Sequence, residues 1–273
     1  NLMKSILFTC WLSLGLMACQ QPSSNHQNQA ASTAQSADVY ANLALTSDQI
    51  IPPKIEYTPN PKPQTVYFSA NGEPSNKPVA NGFYRQILGT TSDGRSVVQD
   101  YYADTKKQQT TPFVIKKGSN PTEFSKHILV SRVIWYSHHD GEIASVGNFR
   151  NGVQQDWLDV YEYKQLVVQL KDNSTGIAMR FFSPDDKIWG EGEIAQGKKG
   201  LEIKQLKFYH PNSKIMSQMD IDPNGKPIGM TTFDENGKKL DDKQNATFNQ
   251  ILLARFGVVV HKLPTLMART NAS

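Results

Sequence analysis

The sequence predicts a mainly β body, an antiparallel meander of repeated hairpins with short peripheral helices near residues 38–50 and 245–256. Beyond residue 64 the chain consists of short runs rich in Val, Ile, Phe, Tyr and Trp, which favour strands. Asp-Gly, Asn-Gly and Pro-Asn pairs, which favour tight turns, separate these runs. Apolar and polar residues alternate in several of them, as at Leu201 and Ile203, and helical periodicity is mostly absent. Together these features favour strands that are paired through short turns.

The first eighteen residues predict a secretory signal peptide. Lys4 supplies one positive charge, and the apolar run from Ile6 to Ala18 would form a helix of about 20 Å, shorter than the roughly 30 Å core of a bilayer. The run ends in Leu16-Met17-Ala18-Cys19, which resembles the lipobox of bacterial lipoproteins. The resemblance implies that the signal is cut before Cys19 and that this cysteine is acylated. The alternative is an ordinary cleavage site beside an incidental thiol.

Acyl chains on Cys19 would attach the protein to a membrane without a spanning segment, because two or more buried chains give stable anchoring. Gln20 follows the cysteine, whereas an Asp at this position in lipoproteins of double-membraned bacteria resembles an inner-membrane retention signal. The resemblance therefore implies the outer membrane. It leaves open whether the body faces the periplasm or the cell surface.

A tether and an arm are predicted between the anchor and the body. Residues 20–37 contain one histidine, His26, but no Asp, Glu, Lys, Arg, Phe, Trp or Tyr, and they cannot bury enough apolar surface to offset their conformational entropy. We therefore predict a disordered tether over 19–37, with a reach of about 25 Å. Five prolines between residues 52 and 63 favour an extended backbone, which predicts a Pro-rich arm over 38–64.

One turn motif recurs along the body. The segments 182–188 and 209–215 match position by position: an aromatic residue is followed by Asp or Asn three positions later and by Lys five positions later. Three turns with Asn in this place lie twelve residues apart, at Asn212, Asn224 and Asn236. Twelve residues correspond to about one strand and one turn. The spacing predicts a β-hairpin repeat domain over 65–262, followed by a frayed tail over 263–273.

The same motif with one residue inserted is predicted at 135–143, and a degenerate copy at 92–95. The motif resembles the MORN-like repeats of the bacterial YwqK-type proteins over about residues 130 to 240, although Asp186 and Ser213 stand where that family usually has Gly. The resemblance implies an elongated sheet of hairpins that acts as a binding or structural scaffold. The family offers no catalytic residue to carry over to this chain.

A short amphipathic helix is predicted near the C-terminus, where Phe248, Leu252 and Phe256 recur at helical spacing. Gly257 is predicted to end this helix, because glycine is common just after the last helical residue. The three valines that follow, residues 258–260, predict a final buried strand.

The composition excludes several kinds of site. The net charge is only +4, from 29 basic and 25 acidic residues, so no nucleic-acid partner is predicted. The only cysteines are Cys10 and Cys19, so the body has no disulfide framework and no cysteine metal site. The sequence has none of the common serine-nucleophile, zinc-protease, phosphate-loop or dinucleotide motifs. We therefore predict no catalytic residue, no metal and no cofactor.

Two clusters are the strongest candidates for metal ligands. His138, His139 and Asp140 are adjacent, but neighbouring side chains of a strand point to opposite faces, so this cluster favours a loop over a zinc site or a catalytic base. Residues 220–225 match the first half of a calcium-binding loop. Position twelve of that loop is Thr231 instead of the required Glu, and the repeat turn already explains the Asn-Gly pair.

Three pairs of adjacent aromatic residues are candidates for a binding surface. Their members are Trp135, Tyr136, Phe181, Phe182, Phe208 and Tyr209. Because adjacent side chains of a strand lie on opposite faces, one ring of each pair is expected in the core and the other on the opposite face. The outer rings of neighbouring strands would then form an aromatic stripe that binds a partner.

These features predict an outer-membrane-anchored lipoprotein that acts as a non-catalytic binding or structural module of the cell envelope. Its predicted partners are the membrane, through Cys19, and an envelope protein or polymer. Two alternatives are kept. One is a hydrolase of envelope polymers with an unrecognised site, and the other is an immunity-like or antitoxin-like partner protein, which only the repeat resemblance suggests.

Overall fold

The computed structural model describes residues 50–173, 176–197 and 200–270. The predicted signal peptide, Cys19, the predicted tether and nearly all of the predicted helix near 38–50 lie outside these described residues. The described chain is mainly β, with antiparallel strands joined in hairpins, as the sequence predicts.

The described residues belong to two compact units. From the sequence, one repeat domain was expected over residues 65–262. The first unit contains residues 50–164 and 264–270. The second contains the described residues between 165 and 263.

Five strands of the first unit form an antiparallel sheet: β1 (Thr58–Phe68), β2 (Pro74–Ser75), β3 (Phe83–Thr90), β4 (Ser96–Tyr102) and β5 (Phe113–Val114). Their order across the sheet is β2-β1-β3-β4-β5. β1 begins inside the segment that was predicted as a Pro-rich arm. Its register with β3 shifts between Pro59 and Gln64, where proline, which has no N–H for the ladder, is tolerated.

Four further strands of the first unit are β6 (Arg132–Tyr136), β7 (Ile143–Arg150), β8 (Val153–Gln154) and β9 (Leu158–Glu162). β7 pairs with each of the other three, always in antiparallel orientation. A short 3-10 helix lies at Phe124–Lys126.

The strands of the second unit form an antiparallel meander in which each strand pairs with the next along the chain. They are β10 (Gln165–Asp172), β11 (Ile177–Phe182), β12 (Ile188–Gly197), β13 (Gly200–Tyr209), β14 (Ile215–Ile221) and β15 (Pro227–Thr232). This topology is the meander that the regular turn spacing predicts.

Four turns of the second unit share one hydrogen-bonding pattern. Between Ser183 and Lys187, the N–H of Asp186 donates to the carbonyl of Ser183, and the N–H of Ser183 donates to the carbonyl of Lys187, over 2.9 and 2.8 Å. Three later turns repeat both bonds, beginning at His210, Asp222 and Asp234. The fourth residue of each turn has a positive φ; these residues are Asp186, Ser213, Gly225 and Gly237. A type I turn followed by a left-handed residue has this pattern, so the prediction of one repeated turn geometry is confirmed.

Of the two further copies predicted in the first unit, the one at 92–95 forms this turn and the one at 135–143 forms a longer version of it. The N–H of Gly94 donates to the carbonyl of Thr91 over 2.9 Å. In the copy with an inserted residue, the N–H of Gly141 donates to the carbonyl of Ser137, and Ser137 donates to Glu142. The inserted residue therefore lengthens the turn without changing the pairing of its ends.

The first residue of these turns contributes a bond that the sequence analysis did not predict. The Oδ1 atom of Asp222 accepts from the backbone N–H groups of Asn224 and Lys226, over 2.9 and 2.8 Å. Asp234 makes the equivalent pair of bonds in the next turn. The hydroxyl of Thr91 accepts a corresponding bond in the first unit. In these three turns the side chain of the first residue thus holds the turn closed, whereas the turn that begins at His210 has no Ser, Thr or Asp at this position.

The C-terminal segment forms α1 (Asp242–Ala268), a helix of 27 residues. Asp241 caps its start, since its Oδ1 accepts from the N–H of Gln244 over 2.9 Å. The predicted end at Gly257 and the predicted strand over 258–260 are wrong, because the helix continues through both.

Burial explains why the helix continues. Beyond Gly257 three apolar side chains are buried, Leu263, Leu266 and Met267. Valine and glycine disfavour helix by at most about 1 kcal/mol each, and the burial of an apolar face outweighs this preference. The tail predicted to be frayed from residue 263 is therefore helical up to Ala268.

Candidate functional site

The six aromatic residues predicted as a binding surface lie mainly in the core. Five of their side chains are buried and Tyr136 is half-buried; the buried five are Trp135, Phe181, Phe182, Phe208 and Tyr209. The exposed stripe expected from the sequence does not form. One reason is that α1 packs against the sheet of the second unit, where Phe256 meets the ring of Phe181 edge-on at a centroid distance of 5.6 Å. A helix against this face was not expected from the sequence.

Two of these aromatic residues, Phe181 and Phe208, form a seat for α1 together with Trp189, which the sequence did not single out. The ring of Trp189 stacks on Phe181 at 5.1 Å and on Phe208 at 6.0 Å. The guanidinium of Arg255 lies 3.9 Å from the centre of the Trp189 ring, a cation–π contact. We call Phe181, Trp189 and Phe208 the aromatic seat. Together with Phe256 and Arg255, it fixes the middle of the helix.

Asparagine side chains fix the N-terminal part of α1. The Nδ2 of Asn245 donates to the carbonyl of Met230 in β15 over 2.9 Å. The Oδ1 of Asn249 accepts from the hydroxyls of Ser217 and Thr232, over 2.8 and 3.1 Å. Ser217 and Thr232 are fully buried, so these bonds satisfy groups that water does not reach. The helix is therefore held in one rotation about its own axis.

That rotation leaves apolar side chains on the outside. Phe248, Ile251 and Val258, which we call the helix outer face, are 42%, 63% and 59% exposed. Leu252 and Phe256, on the opposite side, are buried. Among the described residues, α1 is the one helix long and apolar enough, by length and composition, to cross a membrane, and less than a quarter of its most apolar window is buried. The helix outer face is the candidate interaction surface of this protein.

A second candidate is a polar cluster around His138 in the first unit. The Nε2 of His138 lies 2.8 Å from Oδ2 of Asp104, and its ring packs edge-on against Tyr102 at 4.7 Å. His139 is exposed and lies in the same turn, as the loop interpretation predicts. Asp104, which the sequence analysis did not single out, is far from His138 in sequence, so no local motif predicts this pair.

The same turn holds the end of the chain. The N–H of His138 donates to the carbonyl of Arg269 over 2.8 Å. The guanidinium of Arg269 donates to the carbonyl of Tyr161 over 2.6 Å and lies 3.3 Å from Asp140. These contacts bind the residues after α1 to two strand ends of the first unit. The polar groups of this cluster therefore serve to hold the C-terminal residues in place.

The carboxylates of this cluster are held in the charged form. Partial burial raises the pKa of Asp104, but the hydrogen bonds from His138 and the N–H of Thr105 outweigh it, so the pKa lies below its ordinary value. Burial likewise raises the pKa of Asp140, but the hydrogen bond from the N–H of Glu142 and the charge of the Arg269 guanidinium outweigh this effect. The pKa of Asp140 therefore also lies below its ordinary value. A carboxylate stabilised in this way is a weak base, which suits an ion pair better than proton transfer.

A buried ion pair lies elsewhere in the first unit. Arg85 and Asp100 are joined by two bonds of 2.7 Å, and both side chains are closed to solvent. The guanidinium also lies within 6 Å of three phenylalanine rings, those of Phe68, Phe113 and Phe124. Phe68 and Phe124 belong to the hydrophobic core with Phe83, so this pair serves the fold.

The second unit contains a related polar group. The Nε of Arg180 donates to Glu191 over 3.0 Å, and the hydroxyl of Tyr209 donates to the other oxygen of Glu191 over 2.7 Å. Burial and the neighbouring Glu191 carboxylate raise the pKa of Tyr209 above its ordinary value. The tyrosine therefore remains a neutral donor and links β13 to β12.

The carboxylates of residues 220–225, which match half of a calcium-binding loop, accept hydrogen bonds within the hairpin. Thr231 donates to Asp220 over 2.8 Å, and Asp222 accepts two backbone N–H groups. Within residues 50–173, 176–197 and 200–270, no group of three or more His, Cys, Asp or Glu side chains is arranged to hold a metal ion.

Comparison of the chain with protein families, with curated proteins and with solved structures finds no match.

Proposed function

We propose that the protein is a lipoprotein of the outer membrane, held by acyl chains on Cys19, and that it acts as a non-catalytic binding or structural module of the cell envelope. The observation that carries the proposal is the sequence Leu16-Met17-Ala18-Cys19, with an apolar run before it and an uncharged segment after it. Acylation of such a cysteine gives stable membrane attachment without a spanning segment.

The use that the body makes of its polar groups supports a non-catalytic role. Arg85 and Asp100 form a buried ion pair. Asp104 and His138, which are 34 residues apart in the sequence, bond to each other. The hairpins of the second unit have closely fixed turns and hold α1 through the aromatic seat. A scaffold of this kind is suited to presenting one surface in a fixed orientation.

Mass spectrometry of the N-terminal peptide, taken from protein purified from membranes, tests the anchor. We expect a chain that begins at Cys19 and carries added acyl mass. Cys19→Ala should abolish the added mass and release the protein from membranes. Cys10→Ala is the matched control and should change neither, because the proposal places Cys10 in the discarded segment. An unmodified Cys19 in the purified protein would overturn the anchor.

Density-gradient separation of the two membranes tests the location. The native chain is expected in the outer-membrane fraction. Gln20→Asp should move it to the inner membrane, as the lipobox resemblance implies, whereas Gln21→Asp adds the same charge one residue later and should not. Native protein in the inner-membrane fraction would overturn the assignment to the outer membrane.

A further inference from the structure

Two basic residues follow the aliphatic residues of the helix outer face at helical spacing. Arg255 follows Ile251 by four residues, and Lys262 follows Val258 by four residues. Residues four apart on a helix are neighbours on one side, so a basic residue lies one turn from each of these aliphatic side chains, although the guanidinium of Arg255 itself packs on the ring of Trp189. Both Arg255 and Lys262 are exposed.

The charge of this segment has one sign. After Asp241 and Asp242 at the start of α1, residues 243–269 contain no Asp or Glu and include Lys243, Arg255, Lys262 and Arg269, the last of which lies against Asp140. The whole chain has nearly equal numbers of basic and acidic residues, so the segment is an exception to the overall composition. Its charge complements an anionic surface.

The contacts of α1 with the sheet also limit the orientation in which the helix can bind an anionic membrane surface. Leu252, Phe256 and Leu263 are buried, and Asn249 is bonded to the buried hydroxyls of Ser217 and Thr232. A helix that crossed a bilayer would have to lose all of these contacts. The helix can instead lie flat on a membrane with its seat intact and only the outer face in contact with lipid.

We propose that the helix outer face binds the headgroup region of an anionic phospholipid membrane, with Ile251 and Val258 inserted between acyl chains and with the positive charge of this part of the chain attracting the phosphates. The inference rests on the proposed function, because the acylated Cys19 brings the body to the membrane. The tether that the sequence predicts over 19–37 has an expected reach of about 25 Å. The body therefore stays within range of the lipid surface.

Flotation with lipid vesicles tests the inference on the mature chain, residues 19–273, carrying Cys19→Ser so that no acyl group contributes. Vesicles of phosphatidylglycerol and phosphatidylethanolamine should bind this chain at low salt, and vesicles of phosphatidylcholine alone should bind it much less. Val258→Ser or Ile251→Ser should lower binding by about five- to twentyfold each, the value of burying much of one aliphatic side chain. Serine and these β-branched residues have similar helix propensities, so the helix should persist, which circular dichroism checks.

Val153→Ser is the matched control. Val153 is 62% exposed, against 59% for Val258, and lies in β8 of the first unit. The same substitution there should leave vesicle binding unchanged. Lys262→Gln should lower binding to the anionic vesicles about fivefold and leave the weak binding to phosphatidylcholine as it is.

A second readout locates the contact. With Cys19→Ser in the mature chain no native cysteine remains, so Val258→Cys or Val153→Cys offers a single labelling site. An environment-sensitive dye at position 258 should shift to the blue on addition of anionic vesicles, and the same dye at position 153 should not.

Several results would overturn the inference: no flotation of the Cys19→Ser chain, equal losses for Val153→Ser and Val258→Ser, or resistance of the bound chain to alkaline extraction, which would indicate a spanning helix. A loss of self-association in Ile251→Ser without any effect on vesicle binding would assign the face to a second copy of the chain instead. Acylation is measured separately at Cys19, so a failed anchor and a failed lipid contact are distinguished.

Discussion

Arg85 donates to the Nδ1 of His127 over 3.3 Å while its other nitrogens hold Asp100. Arginine can only donate hydrogen bonds, so this ring nitrogen must carry a lone pair and the imidazole is neutral. Burial, followed by the Arg85 cation, holds the pKa of His127 well below its ordinary value of 6.5. The first unit therefore contains a buried cation, Arg85, that lies between a carboxylate and a neutral imidazole.

Breaking the buried ion pair should be costly. Asp100→Asn leaves the guanidinium of Arg85 without its counter-charge in a dry site, and we expect a loss of about 3–5 kcal/mol in the free energy of unfolding. The double variant Arg85→Met with Asp100→Leu should recover much of this loss, since no unpaired charge remains. Urea denaturation followed by circular dichroism measures both.

The exposed pair of Arg95 and Asp93 supplies the control for that experiment. Asp93→Asn removes one partner in the same way but in contact with water, so the urea midpoint should hardly move. Equal shifts for Asp93→Asn and Asp100→Asn would contradict the assigned role of burial.

His127 should make the protein less stable in weak acid. Its pKa is lowered in the folded state, so below about pH 6.5 the unfolded chain takes up a proton that the folded chain does not, and stability falls as the pH falls. The slope can reach about 1.4 kcal/mol per pH unit for one such group. His127→Gln, which keeps an acceptor for Arg85, should show a flatter dependence of the urea midpoint between pH 7.5 and 5.5. If the urea midpoint of His127→Gln changes with pH as much as that of the native chain, the His127 imidazole does not cause the loss of stability in acid.

The left-handed turn positions should resist substitution by alanine. Gly225 and Gly237 have φ values of 78° and 88°, and nothing lies within 4 Å of where a Cβ would stand. Gly225→Ala or Gly237→Ala should therefore lose about 1 kcal/mol through backbone strain alone. Gly229 has equally open space without a positive φ, and Gly229→Ala should be neutral or slightly stabilising. The same loss at all three positions would indicate a cause other than φ.

Asn249 should matter far more to stability than its neighbour on the helix. Asn249→Ala removes the acceptor of the buried Ser217 and Thr232 hydroxyls, and we expect a loss of about 1–3 kcal/mol. Gln250→Ala alters an exposed residue one position later and should leave the unfolding midpoint nearly unchanged. Hydrogen exchange along α1 should rise in Asn249→Ala only. If both variants behave alike, the polar contact does not fix the helix.

The turns were predictable because their chemistry is local. Pairs such as Asn224-Gly225 place a residue that accepts positive φ at the required position, and the spacing between turns then sets the strand lengths. Even Asp186 and Ser213, which depart from glycine, take the same backbone conformation.

The extent of the helix and its exposed face were not predictable in this way. Local sequence preference favours an end of the helix at Gly257. The burial of side chains further along, such as Leu263, stabilises the helix beyond this point. Ile251 and Leu252 are equally apolar in sequence, yet one is exposed and the other buried. The choice between them depends on Asn249 and the aromatic seat, which lie far apart in the chain.

The asparagines of α1 have a further effect on the sheet. β15 pairs with β14 and is the last strand on its side, and such an open edge readily adds a strand from another molecule. Asn245 already donates to the carbonyl of Met230, and Asn249 approaches the same oxygen at 3.5 Å. The helix thus occupies an acceptor that an incoming strand would use. A chain that lost these amides would present an uncovered strand edge, which is expected to pair with the same edge of a second copy and so to give dimers joined through β15.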